Sequence, residues 1–299
     1  QTEPELDLAE VRGQLYPKRA LEVAAAGGHN ILLSGSPGTG KTMLARRLPG
    51  ILPEMTFEEA LEVTEIYSLA GLLPADRPLV TQRPFRSPHH TASPAALVGG
   101  GRYPRPGEVS LSHNGVLFLD EFPEFSKEAL EALRQPLEDG IITVSRAAAS
   151  VRFPARIMLV AACNPCPCGY FGDQEKECTC SPAHIQRYRS RLSGPLLDRI
   201  DIDISVPRVE FQELTGPAAG ERSAAVRSRV EAARAIQRER FKRSKVTCNA
   251  AMSGSQVRRY CTFTEEAGRM LQAAFRRLAL SARGHDRTLK VARTVADLE

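Results

Sequence analysis

The sequence predicts an α/β fold, a mostly parallel sheet flanked by helices, followed by a smaller all-helical domain. Three observations lead there. Short apolar runs that read as buried strands occur at 30–34, 116–119 and 157–162. Helical patterns separate them, and strands alternating with helices imply a parallel sheet. After Pro207 the composition shifts, and apolar residues recur at helical spacing.

The bulk numbers fit that class. With 299 residues, 42% hydrophobic and 25% charged, the chain can bury a large core without covalent staples. It has no run of eighteen apolar residues, so no membrane span is expected. Its acidic start, Gln1-Thr2-Glu3-Pro4-Glu5, lacks the apolar stretch of a secretory signal. The missing initiator Met and the end at Ala296-Asp297-Leu298-Glu299, inside an expected helix, lead us to expect more chain in nature. Seven cysteines, four of them between 166 and 180, argue against a disulfide framework. They favour a reducing, cytoplasmic location and a candidate metal site. A net charge of +5 is too modest to prove a nucleic-acid partner, so where the basic residues fall matters more.

Taken in order, residues 6–27 read as a helix stopped by Gly27-Gly28. The strand at 30–34 runs into a glycine-rich turn, and a helix should span 41–48, ending before Pro49. Another is expected at 56–63. Residues 77–107 then change character, with six prolines, four glycines, five arginines, two histidines and no acid. Such a basic, proline-broken stretch reads as a functional insertion, or else as a solvated loop. The strand at 116–119 precedes a helix at 127–137. Residues 141–144 and 150–153 pair as a β-hairpin at 141–153, with Arg146 at its tip. The strand at 157–162 leads into a Cys-rich loop at 163–180. Residues 1–207 are assigned to the α/β domain and 208–299 to a helical lid. In the lid Val226, Val230, Ala233 and Ile236 share one helix face, and Ala267, Met270, Leu271, Ala274 and Leu278 another.

The chemistry concentrates at Gly35-Ser36-Pro37-Gly38-Thr39-Gly40-Lys41-Thr42, a complete P-loop pattern. Its glycines let backbone N–H groups turn inward around phosphate oxygens, and the following helix adds its positive end. Lys41 would reach the β- and γ-phosphates, and the Thr42 hydroxyl would hold Mg²⁺. The strand at 116–119 ends in Asp120-Glu121, two acids with separate tasks. Asp120 would hold the magnesium, and Glu121 would act as general base on the attacking water. Together they predict hydrolysis of ATP.

This setting resembles the AAA+ P-loop NTPase core. Four further stretches sharpen the likeness: Gly27-Gly28-His29-Asn30-Ile31-Leu32-Leu33, Phe85-Arg86-Ser87-Pro88-His89-His90, Pro106-Gly107-Glu108-Val109-Ser110-Leu111 and Ser193-Gly194-Pro195-Leu196-Leu197-Asp198-Arg199-Ile200-Asp201. They are similar to the magnesium-chelatase-like ComM/YifB family, and the likeness runs from about Leu6 to Glu299. That family usually carries a Lon-protease-like domain ahead of the ATPase, for which this sequence has no residues.

The resemblance implies further roles. Asn164 matches the first sensor of the γ-phosphate. Arg199 matches an arginine finger supplied in trans, which implies self-association into a ring, expected to be a hexamer. An Arg beside two aspartates could equally form an intramolecular ion pair. Arg287 is the first choice for the second sensor and Arg293 the second. Residues 11–20 should pass near the adenine.

Cys166-Pro-Cys168 and Cys178-Thr-Cys180 offer four thiolates, the set that tetrahedral Zn²⁺ takes. Free or redox-active thiols are the other reading. The resemblance implies a stabilising role, since some relatives lack these cysteines. Cys163, Cys248 and Cys261 read as small buried hydrophobes. The hairpin is similar in position to the pre-sensor hairpin of ring helicases. Arg146 and Arg152, with Arg156 nearby and no acid between 140 and 172, suit a DNA backbone. The function expected is therefore an ATP-driven DNA motor, a helicase or branch-migration activity on single-stranded or branched DNA. A magnesium-chelatase-type subunit and a protein remodeller are the alternatives.

Overall fold

The structure, a computed structural model, describes residues 6–299 apart from 74, 75, 77, 102, 103, 147, 148, 193 and 216–219. At 145, 146, 149 and 214 it describes the backbone alone. Its strands are β1 (Ile31–Ser34), β2 (Phe85–Arg86), β3 (Val116–Leu119), β4 (Ile141–Arg146), β5 (Ala149–Pro154), β6 (Met158–Cys163) and β7 (Ile202–Ser205). Five form one sheet in the order β2-β3-β6-β1-β7, parallel throughout, and β4 pairs with β5 as an antiparallel hairpin.

Parallel strands covered on both faces must be apolar on both faces, which is why β3 and β6 are buried at every position. The two-residue period sorts these side chains into two cores. Ile31, Leu33, Val116, Phe118, Val160 and Ala162 enter the first, with Leu21 and Ala24 of the helix Leu15–Gly27. Leu32, Leu117, Leu119, Leu159 and Ala161 enter the second, against Phe122, Ile142, Val144 and Phe153. The hairpin is thus anchored by one apolar face. Among described side chains its other face presents Thr143, opposite Arg152.

Several elements depart from expectation. Residues 6–27 are not one helix. A single 3₁₀ turn, Leu8–Glu10, is followed by extended backbone, and Gly13 and Gln14 take φ of +59° and +56° before the helix begins at Leu15. The helix expected at 56–63 runs over Phe57–Leu69 from a capping box of Thr56 with Glu59. The helix expected at 127–137 is two, Lys127–Ala132 and Arg134–Asp139. Pro136 explains the break, since it has no N–H to donate and its ring clashes with the carbonyl four residues back.

The helical part after 207 joins the α/β domain and also forms a small core of its own from Phe241, Met252, Val257 and Cys261. Val226, Val230 and Ala233 of the helix Ser223–Phe241 join the first core. Ile236 is 46% exposed instead. Its neighbour Gln237 is buried, donating to the Ala26 carbonyl at 3.0 Å and accepting from the Asn249 N–H at 2.9 Å. No residue of the helix Glu265–Arg277 is buried: Leu271 and Ala274 on its apolar side are half-buried, and Met270 is 70% exposed.

Candidate active site

The site lies where parallel sheets bind ligands, beyond the carboxyl ends of their strands. The phosphate loop leaves β1 at Gly35, Asn164 leaves the neighbouring β6, and Asp120 leaves β3 on the far side of β6, all at the same edge. Gly38 and Gly40 have φ of +81° and +91°, and the space where a Cβ would project is open at both. A side chain there would be strained and would fill the cradle. Lys41 donates to the carbonyls of Gly35 at 2.7 Å and Ser36 at 2.9 Å, and to Asn164 Oδ1 at 3.2 Å. Burial lowers its pKa, opposed by the charge of Asp120. An arriving triphosphate would favour the ammonium. Burial likewise pushes the Cys163 thiol up to about 11, with Asp203 adding to it, so this cysteine stays protonated at neutral pH.

Thr42 Oγ1 donates to Asp120 Oδ2 at 2.7 Å, so both expected magnesium ligands meet at one point. Asp120 Oδ1 accepts from the N–H of Glu121 at 2.9 Å. Glu121 has φ of +51°, unusual for a residue with a side chain. Its Oε2 lies 2.8 Å from Nδ1 of His90 in the basic insertion. Gln14 belongs to the segment expected near the adenine. It donates to the Thr39 carbonyl at 3.2 Å and the Pro207 carbonyl at 2.7 Å. Its Oε1 is buried without a partner beside the loop. The open glycine cradle, this orphaned acceptor and the Thr42–Asp120 pair all fit a magnesium-bound nucleotide.

Arg199, Arg287 and Arg293 lie elsewhere. Strands β1 and β7 run in register from Ile31↔Ile202 to Ser34↔Ser205, so Arg199 precedes β7 at the edge opposite the phosphate loop. At a rise of about 3.3 Å per residue the strands hold them more than ~10 Å apart. Its carbonyl accepts from Asn30 Nδ2 at 2.8 Å, and its guanidinium pairs with Glu138 and the Pro195 carbonyl. It therefore cannot serve its own chain's phosphates. Arg287 does not lie over the phosphate loop of its own chain, as a second sensor in cis would. It donates to the carbonyls of Leu197 at 3.0 Å and Ile200 at 2.5 Å, beside Arg199. Arg293 is taken up by Asp297 at 2.9 Å, with Arg240 on the same carboxylate.

The four clustered cysteines converge. Their sulfurs all lie within 4.8 Å of one another, with Cys166–Cys168 at 3.3 Å, Cys166–Cys178 at 3.7 Å and Cys168–Cys178 at 3.6 Å. Four thiolates 2.3 Å from one zinc stand about 3.8 Å apart, so the set fits a tetrahedral metal.

This geometry agrees with what the whole sequence resembles. Residues 7–214 match the family described as magnesium chelatase, subunit ChlI, and residues 220–299 match its C-terminal part. The chain belongs to the magnesium chelatase ChlI family. Within it the chain is 50% identical over 296 residues to competence protein ComM of Haemophilus influenzae, covering 98% of this chain and 57% of ComM. To the uncharacterized protein YifB of Salmonella typhimurium it is 49% identical over 294 residues, with the same coverage. It is 28% identical over 162 residues to the magnesium-chelatase 67 kDa subunit of Chlorobaculum parvum, covering 52% and 23% of the two chains. The chain thus spans a little over half the length of ComM and YifB. Membership in this AAA+-type family points to an ATPase in general, working with ATP and Mg²⁺.

For this ChlI-family chain the basic stretches need revision. Arg83 and Arg86, in the basic insertion, are internal ties. Arg83 donates to the carbonyls of Pro53 and Asn114 at 2.6 Å and pairs with Glu59 at 2.8 Å; Arg86 grips Glu108 with two bonds at 2.7 and 2.8 Å. Arg156 pairs with Glu62 at 2.5 Å. Arg152 is exposed on the hairpin, whereas the Arg146 side chain falls outside the described residues. Among described residues no helix is long and apolar enough to cross a membrane.

Three residues do more than their sequence setting suggests, two of them, His90 and Asp173, at the site. His90 was visible only as one of a histidine pair in a basic segment. Asn30, quoted for resemblance alone, fastens three strands: its side chain bonds the Leu159 N–H and the Arg199 carbonyl at 2.8 Å, and its own carbonyl accepts from Ile202 at 3.1 Å. Asp173 lies among the cysteines in sequence yet stands beside Ser36 of the phosphate loop.

Proposed function

We propose that this chain is the ATP-hydrolysing part of a ring motor that acts on DNA. The observation that carries the reading is one chain joining a complete phosphate site to a hairpin whose apolar face is anchored and whose other face bears exposed Arg152. The similarity to a protein named for competence supports the same direction.

The chemistry follows from the site. Lys41 and the loop amides bind and orient the β- and γ-phosphates. Thr42 and Asp120 would hold Mg²⁺, which when bound neutralises phosphate charge. Glu121 takes a proton from the water that attacks the γ-phosphorus, as the bond to the β-phosphate oxygen breaks and ADP leaves. Asn164, already touching Lys41, orients that water. Arg199 would meet the phosphates of a neighbouring copy, which is the basis for expecting a ring. Cys166, Cys168, Cys178 and Cys180 would hold a structural Zn²⁺, closing a loop with little apolar content of its own.

The deciding experiment measures phosphate release on single-stranded, forked and four-way DNA by the wild type and Glu121→Gln. Stimulation by DNA, abolished in the variant while ATP still binds, is the expected outcome. Stimulation by a porphyrin alone would favour the chelatase reading, and stimulation by unfolded protein a remodeller.

A further inference from the structure

The loop carrying the four cysteines touches the phosphate loop at named points. It leaves β6 immediately after Asn164, and Cys166, two residues on, is buried. Gly169 has φ of +88° and backs directly onto Pro37: a Cβ there would stand 2.5 Å from Pro37 Cδ and 3.9 Å from Asn164 Cγ. Only glycine permits that approach. Further along, the Asp173 carboxylate stands beside the Ser36 hydroxyl, which helps hold it well below the usual carboxylate range. The side chain of Asp173 is 3% exposed and accepts from Arg208 Nε and from the backbone N–H groups of Glu175 and Lys176, each at 3.0 Å. Ser36 and Pro37 form one wall of the phosphate cradle, and this loop stands behind them.

Apart from its sulfurs the loop is held by polar ties and ring-face contacts rather than by an apolar core. Of its two aromatic residues, Phe171 is exposed, and Tyr170 contacts Lys176 and Arg208 through its ring face. A segment without a core of its own is ordered by whatever joins its ends, and four thiols packed within 4.8 Å need a cation to stay together as thiolates.

We propose that a zinc-class ion on Cys166, Cys168, Cys178 and Cys180 braces the phosphate loop through Gly169 and Asp173, so that occupancy of the sulfur site sets nucleotide affinity. This rests on the nucleotide and zinc readings above. The metal takes no part in hydrolysis; its effect is to pre-organise the wall against which phosphate binds, sparing the ordering cost at the moment of binding.

The test uses the whole chain. Metal content and thiol reactivity are measured first, with about one zinc per chain and four masked thiols expected. The metal is then stripped with a mercurial and a chelator, the thiols are regenerated, and binding of a fluorescent ADP is compared before, after and on return of Zn²⁺. Affinity should fall about tenfold or more in the stripped protein and recover with zinc. Asp173→Ala removes the contact with Ser36 but none of the thiols. It should keep its zinc and its masked thiols yet bind ADP more weakly, which separates bracing from folding. Stripped protein of unchanged helical content that binds ADP as tightly as the loaded form would overturn the coupling. So would unaltered affinity in zinc-loaded Asp173→Ala, or four freely reactive thiols in metal-free protein as purified. Failure of the loaded wild type to bind ADP at all would instead remove the nucleotide reading, and this inference with it.

Discussion

His90 Nδ1 and Glu121 Oε2 stand 2.8 Å apart, joining the basic insertion to the acid proposed to activate water. One carboxylate oxygen is thereby tied and the other is left to meet water. Replacing His90 with alanine should let the carboxylate turn, slowing hydrolysis about tenfold, the equivalent of ~1.4 kcal/mol. Nucleotide affinity should stay as it is. Equal fall in binding and turnover, read from ADP titration beside steady-state kinetics, would mean that His90 merely supports the fold.

Arg199 and Lys41 occupy opposite edges of the sheet, so loss of either should be repairable by a neighbour. Arg199→Ala and Lys41→Ala should each abolish phosphate release, with Arg199→Ala losing about 10³-fold or more. In an equal mixture about a quarter of sites would combine an intact loop with an intact arginine. Activity of the mixture should therefore exceed that of either variant alone.

Glu62 gathers the Nε2 of buried His113 at 3.0 Å, the Asn114 amide at 2.9 Å and Arg156 at 2.5 Å, clasping the helix Phe57–Leu69 to the start of β6. Burial alone would raise its pKa, but hydrogen bonds from His113, Asn114 and Arg156 outweigh it and hold it at about 2 rather than 4.5. A depressed carboxylate contributes stability that is complete above its unfolded value and is lost as pH falls through its folded one. Melting temperature should therefore drop between pH 4.5 and about 2, and Glu62→Gln should flatten that part of the profile.

Arg152, exposed opposite Thr143 on the hairpin, should contact DNA backbone without reading bases. Arg152→Ala should weaken binding about equally for all sequences and reduce the salt slope by about 1. Titrations at several salt concentrations check it, and an unchanged slope would remove the residue from the interface.

Phe118 is fully buried in the first core and stacks against Phe85 of β2 with centroids 5.9 Å apart. Phe118→Ala should cost about 3–5 kcal/mol in denaturant unfolding. The edge strand should loosen with it.

Legibility in the sequence followed the range of the interaction. Val116–Leu119 was readable because four apolar residues in a row have one good fate, burial in a parallel sheet. The phosphate loop was readable because its spacing is dictated by backbone geometry. Strand β2 was not, since two residues carry no period; Phe85 and Arg86 become a strand only by pairing with Val116 and Leu117. The ion pairs of Arg83 and Arg86 were not readable, because Glu59 and Glu108, their partners, lie outside the acid-free window. The approach of Gly169 to Pro37 spans more than a hundred residues, and no local pattern records it.

With Arg199 serving a neighbouring copy, as proposed, the phosphate loop after β1 and Arg199 before β7 would give each copy a direction, like a link with a hook and an eye. Copies joined in this way make a head-to-tail series whose terminal member always lacks a donor. An arc of n links completes n − 1 catalytic centres, and only closure supplies the last one. Turnover per chain would then climb with protein concentration and level off once the circle shuts, reporting assembly through chemistry alone.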